Sequence, residues 1–128
     1  MSSSTRILVI DDNTDLTAII YMMLTAEGFS VKTCNDMEEG LFCLYDWKPN
    51  VVLLDVNIDG EDTRSFCRKI KSDKKEEIKV ILMSGDESTL ECNSDYGADD
   101  YIAKPFDSKL LIQKKLIAFY IMLKTHNS

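Results

Sequence analysis

Four short apolar runs punctuate the chain: Ile7-Leu8-Val9-Ile10, Val51-Val52-Leu53-Leu54, Val80-Ile81-Leu82-Met83 and Tyr101-Ile102-Ala103. Runs of this length without polar alternation read as strands buried on both faces of a parallel sheet. Between them the period changes. Leu16, Ile19, Ile20, Met23 and Leu24 recur at three- and four-residue spacing, the mark of an amphipathic helix. Asn13 or Thr14 can cap its start, and Gly28 ends it where a left-handed backbone costs little. Phe29 to Cys34 reads as a second strand with Val31 inward, and Met37 to Trp47 as a second helix with Leu41 and Leu44 on one face. Lys48-Pro49-Asn50 breaks that helix, because proline cannot continue it.

The third strand, 51–54, ends on Asp55. A loop containing Gly60 leads to a helix from about Asp62 to Lys71 with Phe66 and Ile70 inward. The charged run Ser72 to Glu77 is expected to be a solvated turn before a fourth strand, 79–83. A short polar helix, about Ser88 to Tyr96, is closed by Gly97. A fifth strand follows at 100–103, and Asp107 or Ser108 caps a last helix running to about Lys124. Strand and helix thus alternate five times. With right-handed crossovers this predicts an α/β doubly wound parallel sheet covered by helices on both faces. The alternation alone does not fix the strand order. The order 2-1-3-4-5, one of the common doubly wound arrangements, places the first and third strands at the switch point where ligands bind.

Composition narrows the function. The 128 residues, 45% hydrophobic, suffice for one domain with a full core, and 1–128 is expected to be that domain. A net charge of -7 argues against direct contact with nucleic acid or an anionic membrane surface. No stretch is long and apolar enough to span a bilayer, and the first residues carry no signal-peptide apolar region. The expectation is a soluble cytoplasmic protein. Cys34, Cys43, Cys67 and Cys92 form no CxxC pair, and the single histidine, His126, lies in the tail, so they read as reduced, mostly buried thiols rather than a zinc site.

The chemistry lies at the strand ends. Asp11, Asp12, Asp55, Ser84 and Lys104 each follow an apolar run, directly or nearly so, and a parallel sheet brings the carboxyl ends of its strands to one rim. Two like charges about 4 Å apart cost roughly 4 kcal/mol at an effective dielectric near 20. A hard divalent cation, bound through carboxylates, water and phosphate oxygens, removes that cost. Taken alone, Asp11-Asp12-Asn13 reads equally well as a turn that caps a helix. Asp55 shifts the balance, since a turn at that point needs no charge. Lys104 alone would be a lysine reaching solvent, and Ser84 alone a turn former. Beside three acids they instead form a set that holds a cation and a phosphoryl group.

The segments Ile7–Asn13, Val51–Asn57, Val80–Asp86 and Tyr101–Phe106 (ILVIDDN, VVLLDVN, VILMSGD, YIAKPF) together strongly resemble the receiver domain of two-component response regulators. This is the CheY-like family with a flavodoxin-like fold, and the likeness runs from about Arg6 to Leu123. The resemblance implies that Asp55 is the phosphoacceptor and that Asp12, Asp55 and the backbone carbonyl of Asn57 ligate Mg2+ (or Mn2+), with Asp11 orienting that shell through water. It implies that Lys104 pairs with a phosphoryl oxygen and that Ser84 swings to bond another, while Gly85 leaves room. Tyr101 matches the aromatic switch position, and Asn57 and Asp86 match positions that tune the lifetime of the phosphorylated state. The implied partners are a histidine kinase or phosphotransfer protein and a downstream protein or effector domain. The implied activity is a phosphorylation-dependent switch with self-catalysed phosphoryl transfer and slow autodephosphorylation, not an enzyme in the turnover sense.

Several positions depart from the family pattern. Ile58-Asp59 stands where receivers commonly carry Met-Pro, and Thr63 where they carry glycine. The segment Leu116 to Leu123 is apolar around the whole helix. It is expected either to pack deeply or to form a homodimer surface. The chain ends at Ser128 without an effector domain, so it is expected to act through protein contacts or to belong to a larger protein. Two other functions fit less well. An aspartyl phosphohydrolase of the haloacid-dehalogenase type would need a second acid where Asn57 stands. A flavodoxin-like electron carrier would need a Ser/Thr/Gly-rich loop where Asp11-Asp12 stands.

Overall fold

The computed structural model describes residues 5–74, 78–85 and 97–103. In chain order the elements are β1 (Arg6–Ile10), α1 (Thr14–Ala26), β2 (Ser30–Cys34), α2 (Met37–Trp47), β3 (Val51–Asp55), β4 (Asn57–Ile58), β5 (Glu61–Asp62), α3 (Arg64–Lys74), β6 (Lys79–Ser84) and β7 (Asp100–Ala103). Five strands form one parallel sheet in the order β2-β1-β3-β6-β7. With the two-residue strands β4 and β5 set aside, this is the expected 2-1-3-4-5.

Strand pleating divides the core cleanly. Ile7, Val9, Val51, Leu53, Ile81 and Met83 face one side, with Ile20, Met23 and Leu24 of α1 packed on them. Leu8, Ile10, Val52, Leu54, Val80 and Leu82 face the other, under Leu44 of α2 and Cys67 and Ile70 of α3. Burial on both faces explains the absence of alternation in these segments. Each such Leu or Ile removed from water stabilises the fold by about 1.5–3 kcal/mol.

The helix boundaries follow local chemistry. Asn13 is the N-cap of α1, its side-chain oxygen accepting from Leu16 N–H at 3.0 Å. Asp36 does the same for α2 through Glu39 N–H at 2.8 Å. Gly28 takes a φ of +96 after α1, as expected. Lys48 closes α2 in the left-handed region just before Pro49.

Two expectations are corrected. The segment after β3 is not a plain loop: Asn57 pairs with Asp62 and Ile58 with Glu61 in an antiparallel hairpin closed by Asp59-Gly60. Both turn residues have positive φ, 52 and 83, so Asp-Gly here forms the two-residue hairpin turn for which that dipeptide is favoured. Helix α3 consequently starts at Arg64 rather than Asp62, and it continues to Lys74 through part of the expected solvated turn. The polar helix near 88–96, the last helix, and with it the apolar run 116–123, lie outside the described residues.

Gly40 marks a close approach of α2 to the sheet. A Cβ there would lie 2.7 Å from Cδ1 and 3.1 Å from Cγ1 of Ile10, the residue that leads into Asp11. Gly40→Ala therefore loses more by overpacking than the ~1 kcal/mol it gains in helix propensity. Urea melts are expected to show a net destabilisation of about 1–2 kcal/mol, and combination with Ile10→Val, which removes the clashing methyl, to cost less than the sum of the single changes.

Candidate functional site

Asp11 is the first residue after β1, and Asp55 is the last of β3. These strands are direct neighbours, with Ile10 opposite Leu54, so the two acids emerge side by side at the carboxyl rim. Carboxylate oxygens of Asp11, Asp12 and Asp55 all lie within 4.8 Å of one another. Asp11 is fully buried and Asp55 6% exposed, while Asp12 faces solvent.

The backbone holds these charges in place. Asn13 N–H donates to Asp11 Oδ1 at 2.9 Å, and Asp11 N–H donates to the carbonyl of Cys34 at 3.1 Å. Asn35 Nδ2 donates to the carbonyl of Asp11 at 2.8 Å and to Thr17 Oγ1 at 3.2 Å, tying the acid loop to the end of β2 and to α1. Asp59 N–H, at the hairpin tip, donates to Asp12 Oδ2 at 2.9 Å. The atypical Asp59 thus contributes its amide to the site, a donor that proline in its place would lack.

Thr63 is the second atypical position, and it is fully buried. Its hydroxyl donates to the carbonyl of Asp55, and its N–H donates to the carbonyl of Val56 at 2.8 Å. A glycine could make only the second bond. Thr63 therefore staples the far end of the hairpin to the residue that carries the candidate nucleophile, and a buried hydrogen bond of this kind is worth about 1 kcal/mol net.

Ser84, 5% exposed, ends β6 next to β3, and Gly85 follows it. Asp55, Asn57, Asp62, Arg64, Ser84 and Gly85 line an open pocket of about 410 Å³. Asp55 thus belongs to both groups, the acidic cluster with Asp11 and Asp12 and the pocket wall with Asn57 and Ser84. Tyr101 lies on β7, 44% exposed, opposite Leu82. Lys104 and Asp86 lie outside the described residues.

The donor set suits a hard cation. In a magnesium octahedron with 2.0–2.1 Å bonds, adjacent oxygens are about 2.9 Å apart and opposite ones about 4.1 Å, and the three carboxylates supply only hard oxygen. Among the described residues no sulfur joins this cluster. Cys34 and Cys43 are free thiols with sulfurs 3.4 Å apart, and burial pushes the Cys34 thiol up, with Cys43 and Glu39 adding to it. Burial likewise raises the Cys67 thiol to about 11.

Residues 7–115 match the sequence profile of the response regulator receiver domain. The chain belongs to that family. Solved receivers share the fold. One from Bermanella marisrubri is 29% identical, with a TM-score of 0.76 over 88% of this chain and 95% of that one. A CheY-like receiver from Methanospirillum hungatei is 25% identical, with a TM-score of 0.81 over 96% and 99%. The response regulator TrrA of Thermotoga maritima, solved in complex with Mg2+–BeF, is 28% identical, with a TM-score of 0.75 over 86% and 95%. The protein is thus a receiver of a two-component system, a family of signalling switches, and its acidic cluster stands where a receiver is phosphorylated. No described helix is long and apolar enough to cross a membrane.

Arg64 was not singled out by sequence reasoning. Its guanidinium clasps Asp62, with Nη2 2.6 Å from Oδ2 and Nε 3.0 Å from Oδ1, and its own N–H donates to Asp62 Oδ1 at 2.9 Å. The bond from the Arg64 side chain holds the Asp62 carboxyl below its ordinary value of 3.8. A depressed carboxyl favours the folded state above the unfolded pKa, and that contribution disappears as pH falls through the folded value. An NMR titration is expected to place the Asp62 midpoint below 3.8 in the wild type and to return it toward that value in Arg64→Gln.

Proposed function

We propose that this receiver is a Mg2+-dependent phosphoacceptor switch in which Asp55 takes a phosphoryl group from a histidine kinase or phosphotransfer protein. One observation carries the proposal: the carboxylate oxygens of Asp11, Asp12 and Asp55 converge within 4.8 Å. Asp55 and Ser84 also share the wall of one pocket. Asp12, Asp55 and the backbone carbonyl of Asn57 would hold Mg2+ or Mn2+, with Asp11 orienting that shell through water. When bound, the cation supplies neutralisation of charge on the phosphoryl oxygens.

The remaining chemistry falls to the chain. An Asp55 carboxylate oxygen attacks phosphorus in line with the donor's histidine nitrogen. The P–N bond breaks, its electron pair stays on that nitrogen, and Asp55 becomes an acyl phosphate. The Ser84 hydroxyl donates to one phosphoryl oxygen, and Gly85, without a side chain, leaves space for the group. Lys104 pairs with another oxygen. Movement of the Ser84 loop lets the Tyr101 ring turn inward, shifting a two-state equilibrium that a downstream protein or effector domain reads. Asn57 and Asp86 set how quickly water removes the phosphate. The whole of 1–128 acts as one receiver in the cytoplasm, with self-association through the last helix, and it reacts once per activation rather than turning over as an enzyme.

Incubation with Mg2+ and acetyl phosphate, followed by intact-mass spectrometry, tests this. The expected result is a gain of one phosphoryl group that requires the metal and is lost in Asp55→Asn. Continuous rapid phosphate release without accumulation would instead indicate a hydrolase.

A further inference from the structure

Among the described residues lining the Asp55 pocket, Arg64 is the one with a cationic side chain; Asp55 and Asp62 contribute negative charge to the same wall. Its side chain is 18% exposed, whereas that of its partner Asp62 is 54% exposed. Water therefore screens the Asp62 carboxylate more than the guanidinium. The bidentate grip of Asp62 also fixes a long, rotamer-rich side chain against the pocket wall. A phosphodonor entering here is an anion approaching three carboxylates at one rim. Such an approach is slowed by like charge and favoured by a held guanidinium, whose planar fork matches phosphate and carboxylate oxygens alike.

We propose that Arg64 is the residue that binds the incoming anionic donor, probed with a small acyl phosphate, and that Asp62 holds Arg64 in position while attenuating its charge. The proposal rests on Asp55 being the phosphoacceptor. In the step it serves, an Asp55 oxygen bonds to phosphorus, the donor's P–O bond breaks, and the electron pair leaves with the donor's carboxylate. Total charge is conserved and no further reactant is consumed. The placement follows from the departures around this site. Thr63 and the Asp59-Gly60 hairpin fix the end of the loop, and Arg64 is the next residue, the first of α3.

The test measures the second-order rate constant for phosphorylation by acetyl phosphate with Mg2+, across ionic strengths, in wild type, Arg64→Gln, Arg64→Lys and Asp62→Asn. Arg64→Gln is expected to be about tenfold slower with a flatter salt dependence, Arg64→Lys to recover part of the loss, and Asp62→Asn to be about two- to fivefold faster. A metal-free readout accompanies it. In Asp55→Asn, which cannot react, the Arg64 Nε–H NMR resonance is expected to shift saturably as acetyl phosphate is added. Arg64→Gln within twofold of wild type, an unmoved resonance, or an Asp62→Asn that slows the reaction as Arg64→Gln does would each overturn the assignment, the last by reducing the pair to a clasp at the start of α3. If wild type itself gains no phosphoryl group, the failure is that of Asp55 as acceptor.

Discussion

Everything at this site depends on the pairing of β1 with β3. Their parallel register sets Ile10 opposite Leu54, so a strand-end acid from each chain segment is delivered to the same rim. Left alone, those charges repel at a cost comparable to much of a small domain's net stability. The sheet withstands this because its centre is dry. Leu8, Val9, Val52 and Leu53 are fully buried, and α1 and α2–α3 seal opposite faces. The apolar interior is thus what permits a charged rim.

The rim is further organised by backbone donors. Amides of Asn13 and Asp59 reach the carboxylates of Asp11 and Asp12, and Asn35 anchors the intervening loop from across β2. On the other side, the hairpin and Thr63 bind the segment after Asp55 back onto that residue's own carbonyl. The atypical residues after Asp55 therefore form a compact support rather than a disturbed site. The hairpin closed by Asp59-Gly60 fixes the chain leaving Asp55 and leads into α3 at Arg64.

Much of this was legible in the sequence. The unbroken apolar runs around Leu8, Val52 and Leu82 announce two-sided burial, and Asn13, Gly28 and Pro49 mark helix ends for local reasons. The convergence of Asp11, Asp12 and Asp55 also follows, once parallel strands are assumed. What escaped depends on contacts between distant segments or on a signal given too little weight. The Asp59-Gly60 dipeptide was sufficient evidence for a tight hairpin, but its flanks, Asn57-Ile58 and Glu61-Asp62, are too short and polar to show strand alternation. Asn35 acts on Asp11 from 24 positions away, which no local pattern encodes. Arg64 carries no sequence signal of its own, because only the folded loop turns the first residue of α3 into a pocket wall.

The central claim is that Asp11, Asp12 and Asp55 form one hard-cation site. The most direct measurement is an anomalous difference map from crystals grown with Mn2+. The account predicts a peak about 2.2 Å from oxygens of Asp12 and Asp55, within the reach of Asp11 through water, and its loss in Asp12→Asn. A well-diffracting crystal with Mn2+ bound elsewhere, or with these carboxylates turned apart and no peak between them, would contradict it.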